Sequence, residues 1–159
     1  ALTLALFGSL AACGSSSDDS SPATTAAPAP TDTPKRPTRD DVRVACGRAK
    51  RELERLGNEL KRDGARIDYA ALGTELTDVS QTVGTCQSAV EAAVPGLPAE
   101  VQEPATAYAE SLDGVIAALD DGPTGPAQVG VWVQQLADAS AGVARAEQAL
   151  LAADPDFRL

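Results

Sequence analysis

The sequence has no histidine and no methionine, one tryptophan and only three cysteines among its 159 residues. Without histidine there is no Ser–His or Cys–His catalytic pair and no imidazole to bind a metal. An aromatic content of 3% leaves few rings to stack on a ligand or a base. Basic residues are also scarce: 13 Lys plus Arg against 23 Asp plus Glu give a net charge of −10. A surface of that sign repels phosphate backbones, so no nucleic-acid partner is expected. There is no Gly-rich phosphate loop, no nucleophile elbow and no C-x-x-C pair. The acidic pairs Asp120-Asp121 and Asp154/Asp156 read as helix-end or turn chemistry, and the latter lacks the rest of a calcium loop. No catalytic residue, metal ligand or cofactor is assigned, and the chain is not expected to be an enzyme.

What is present begins with an address. Residues 1–12, ALTLALFGSLAA, are uncharged and mostly apolar. They match a signal-peptide h-region in length and fall short of the ~20 residues that span a bilayer. They lack an initiator Met and a basic n-region, so the sequence is expected to start inside its signal peptide. Leu10-Ala11-Ala12-Cys13 follows at the end of that run, with Gly14-Ser15-Ser16-Ser17 directly behind it. This resembles the lipobox of bacterial lipoproteins, and the Ala/Gly/Asp/Arg-rich, Lys-poor usage resembles secreted actinobacterial chains. The resemblance implies cleavage before Cys13 and a diacylglyceryl group on its sulfur. It also implies attachment to the extracytoplasmic face of the cell membrane, since two acyl chains anchor well where one does not. Residues 13–38 are then the lipidated cysteine and a Ser/Thr/Pro/Ala tether. The tether has no apolar periodicity, which predicts disorder.

The pattern changes at Thr38-Arg39-Asp40-Asp41, an N-cap with acidic residues in the first turn. Apolar residues recur with steps of 3 and 4 at Val42, Cys46, Ala49, Leu53, Leu56 and Leu60. Asp68 can cap a second run: Tyr69, Leu72, Leu76, Val79, Val83, Cys86, Val90 and Ala93. A third is Val101, Ala105, Tyr108, Leu112, Val115 and Leu119, with Pro104 marking either a start or a kink. A fourth is Val129, Trp132, Leu136, Ala139, Val143, Ala146 and Leu150. No β-branched run alternates long enough for a strand. Four seams with short connections predict an all-α, antiparallel up-down four-helix bundle over residues 39–159. Its helices are expected at about 39–63, 68–93, 99–121 and 127–153. Trp132, Tyr69 and Tyr108 sit on seams and are expected in the core.

Cys46 and Cys86 both fall on seam positions and mirror each other about residue 66, inside the first turn. That predicts a disulfide tying the first two helices together, favoured by an oxidising compartment and a modest Ala/Val-rich core.

Charge is uneven. Residues 35–66 hold eleven basic and six acidic residues, whereas residues 67–159 hold two basic and fourteen acidic. The first helix is the only basic element. Its arginines complement acidic neighbours, or Arg48, Arg51, Arg55 and Arg62 form a face for an anionic partner. The leading functional expectation is a lipid-anchored, non-enzymatic helical module that binds or scaffolds an envelope protein or polymer. The alternative is a module holding a small ligand or cation in a cavity of the bundle.

Overall fold

The structure is a computed structural model of the whole chain; it describes residues 36–63 and 67–157. Pro34–Leu159 forms one compact unit. The expected signal segment, Cys13 and the expected tether up to residue 35 lie outside the described residues.

Among the described residues the unit holds four α-helices, α1 (Arg39–Asp63), α2 (Tyr69–Ala93), α3 (Ala99–Asp120) and α4 (Pro126–Ala153), and a 3-10 turn at Val94–Gly96. There is no strand among the described residues. Three of these helices start on a local signal. Thr38 and Asp41 form a reciprocal cap: the Thr38 amide and hydroxyl donate to Asp41 Oδ2 at 2.8 and 2.7 Å, and the Asp41 amide donates to Thr38 Oγ1 at 3.3 Å. Asp68 Oδ1 accepts from the Ala70 and Ala71 amides, so α2 begins one residue after it. Gly125 caps α4 without a side chain, and Pro126 takes the first helical position, where no backbone N–H is needed. Pro104 neither starts nor ends α3: the helix begins at Ala99 and runs through it.

Consecutive helices are antiparallel, as cross-helix pairs show. Cys46 bonds to Cys86 while Arg55, further along α1, reaches back to Glu75. Ser80 donates to Asp120 and Gln87 to Asp113 between α2 and α3. Trp132 Nε1 donates to the Ala118 carbonyl, and Ala139 lies beside Gly114, between α3 and α4.

The core follows the seams. α2 and α3 bury theirs almost completely, whereas α4 buries only Trp132 and Leu150, close to its two ends. Between those anchors Leu136, Ala139, Val143 and Ala146 are half-buried. α1 packs on α2, α2 on α3 and α3 on α4, but α1 and α4 meet at most at isolated points. Two features account for the open seam. The disulfide brings the Cys46 and Cys86 Cα atoms to 4.6 Å, holding α1 close against α2. The facing residues of α4 are mostly Ala and Val, too short to bridge the remaining distance. At one end the seam is latched: Arg39 Nη2 lies 2.7 Å from Asp154 Oδ2, and the same guanidinium sits over the Phe157 ring, 5.9 Å from its centre.

Candidate functional site

The open seam is a cleft of about 310 Å3 to which all four helices contribute. Leu53, Val83, Leu112, Val115 and Val143 make it mainly apolar, and Cys46 and Cys86 line it as well. Lys50 and Glu54 edge it on α1; Ser140, Ala144 and Glu147 edge it on α4. The volume falls at the small end of the ~300–1,000 Å3 typical of small-molecule sites.

Tyr108 is the polar group on the floor of the cleft. Tyr108 is 5% exposed, and its hydroxyl keeps some accessible surface and has no hydrogen-bond partner among the described residues. Burial pushes its pKa up to about 12, and the nearby Glu147 carboxylate adds to the shift. Tyr108 is therefore a neutral phenol throughout the physiological range. Its seam position was visible in the sequence; its place in the lining of a cleft was not. Mirroring α3 on α4 about the Gly122–Pro126 turn pairs Tyr108 with Val143 and places Glu147 one helical turn away, and that spacing is the signal that links the two.

The four arginines of the basic helix differ in their surroundings. Arg48 and Arg55 line a polar groove of about 440 Å3 between α1 and α2, shared with Glu52, Asp78, Thr82 and Thr85. Arg55 is engaged within it, donating to Glu52 at 2.9 Å, to both Glu59 oxygens at 3.1 Å and to Glu75 at 2.6 Å. These bonds hold its guanidinium more firmly protonated than usual. Arg51 is exposed and does not line the groove, and Arg62 is exposed in the last turn of α1.

Glu59 and Glu75 share a hydrogen bond across α1 and α2. It holds Glu59 below the usual carboxylate range, with Arg55 helping; burial and then Glu59 push Glu75 above it. Two carboxylates with pKa values pushed apart are the raw material of acid–base chemistry. Here the hollow they edge holds only about 120 Å3, too little for a sugar or a peptide segment. Among the described residues, no three His, Cys, Asp or Glu side chains come together as a metal site, and no helix is long and apolar enough to cross a membrane.

Comparison with protein-family models, with curated proteins and with solved structures finds no match to this chain.

Proposed function

We propose that this chain is a lipid-anchored, non-enzymatic binding module on the extracytoplasmic face of the cell membrane, and that its folded unit holds a small apolar ligand between α1 and α4. The cleft is the observation that carries the ligand reading. An up-down bundle with a closed fourth seam has no comparable space, whereas this one presents apolar walls around a single unpaired phenol. The anchor rests on the lipobox-like Leu10-Ala11-Ala12-Cys13 and the apolar run before it. A tether between Cys13 and α1 lets the unit stand off the membrane and meet envelope components.

The volume selects among ligands: it suits one medium-length chain or a small ring system, not a two-chain lipid. The arginine-face reading has weaker support, because Arg55 is already engaged by three carboxylates.

Decanol is a direct probe of the cleft. Saturating decanol is expected to raise the Tm by several degrees through binding to the folded state alone. Ala144→Trp and Ser140→Trp, at exposed positions on the cleft edge, should abolish that shift without lowering the Tm of the free protein. A decanol response unchanged by both substitutions would sink the cleft reading. For the anchor, Cys13→Ser should move the exported protein from the membrane fraction to the soluble fraction; retention on the membrane would contradict it.

A further inference from the structure

The polar groups of the cleft are unevenly placed, and this bears on the head group of the ligand. Glu147 lies close enough to Tyr108 to act on its ionisation, and Leu112 and Val115 line the cleft one and two turns further along α3. Glu147 is half-buried, and neither an ion pair nor a hydrogen bond reaches its carboxylate among the described residues. Tyr108 is more than nine-tenths buried, lines the same space, and carries a hydroxyl that keeps some accessible surface and has no partner among the described residues. Solvent still reaches both groups in the open cleft, so a ligand that fills it removes that water and must itself pair the carboxylate and the phenol.

We propose that the cleft binds a single-chain amphiphile with a protonated amine head, its ammonium donating to the Glu147 carboxylate and the Tyr108 oxygen and its chain lying along Leu53, Leu112 and Val115. The inference rests on the reading of the cleft as a ligand site and adds the chemistry of the head.

The charges at the edge agree with this polarity. Glu147 and Glu54 outnumber Lys50, and of the three only Glu147 is half-buried. Lys50 is exposed on a long flexible stem, so its ammonium is already hydrated and needs no counter-ion. Glu147 is the group whose desolvation an arriving cation would offset. A carboxylate head would instead meet Glu147 repulsion in the half-buried part of the site. A hydroxyl head could satisfy Tyr108 but would leave the Glu147 charge uncompensated. Tyr108 remains a phenol at neutral pH, so it adds no negative charge and serves as an acceptor for the amine or a donor to Glu147.

The test is calorimetric titration of the full chain at pH 7 with decylamine, decanol and decanoate, each kept below its micellar concentration. Decylamine is expected to bind about tenfold more tightly than decanol, as one hydrogen-bonded charge pair allows, with decanoate weakest. Glu147→Gln should erase the preference for the amine and leave decanol affinity unchanged. Tyr108→Phe should weaken the amine several-fold with a smaller effect on decanol. Decanol binding without a preference for the amine overturns the head-group inference and leaves the cleft reading intact. Failure of all three probes to bind overturns both. A preference for the amine that survives Glu147→Gln reflects general attraction to an acidic protein and overturns the inference, as does tightest binding by decanoate.

Discussion

At Trp132 a single contact satisfies two groups. The indole N–H donates to the Ala118 carbonyl at 2.6 Å, and that carbonyl belongs to the last turn of α3, where no amide of the helix can reach it. Trp132→Phe keeps most of the buried ring area but leaves the carbonyl unpaired. A loss of about 1–3 kcal/mol is expected in urea unfolding, with the slope unchanged. Tyr108 makes the corresponding argument through ionisation. Its folded pKa is raised to about 12, above the unfolded value, so the neutral form favours the fold. That contribution is complete below about pH 10 and is lost as the pH rises toward 12. Wild-type stability should therefore fall over this range by on the order of 2 kcal/mol more than that of Tyr108→Phe. Parallel curves for the two proteins would refute the assignment.

The helices show what the sequence makes legible. Four 3-and-4 seams specify four amphipathic helices because only one face of each is apolar enough to bury. Two seam cysteines mirrored about a turn specify which faces of α1 and α2 meet, and the disulfide is where that mirror puts it. The cysteines are 40 residues apart, so closing the loop contributes roughly 4 kcal/mol in the chain-entropy model. The double substitution Cys46→Ser, Cys86→Ser should lower the Tm by roughly 15 °C, read by calorimetry. Other features were not legible. Pro104 lies inside α3 because its missing N–H removes only one bond early in a long, well-packed helix, a balance that periodicity does not report. The Arg55 cluster depends on a carboxylate from a second helix, Glu75, and so on the register between helices rather than the spacing within one. The open α1–α4 seam was the least legible. Contact between the first and last helices depends on their tilt and on the summed lengths of facing side chains, which no single seam contains.

Across the whole molecule, the two ends of α4 are fixed and its middle spans a gap. Trp132 anchors one end. Leu150, Phe157 and the Arg39–Asp154 pair anchor the other. Asp154 Oδ2 is buried, and Arg39 is its ionic partner among the described residues, close but poorly aligned for a hydrogen bond. Arg39→Ala should cost about 1–3 kcal/mol by stranding that oxygen. Adding Asp154→Ala should restore part of the loss, the signature of an uncompensated buried charge rather than a merely missing contact. This division into firm ends and an open middle is what makes the cleft a property of the entire bundle, since α1 and α4 supply its rims and α2 and α3 its floor. The most direct measurement of the central claim is an NMR titration of the isotopically labelled protein with decanol, following backbone amides and methyl groups. Saturable shifts should concentrate on Leu53, Leu112, Val115 and Val143 from three different helices, and Ala144→Trp should suppress them together. Shifts absent from these residues, or centred on another surface, would contradict it.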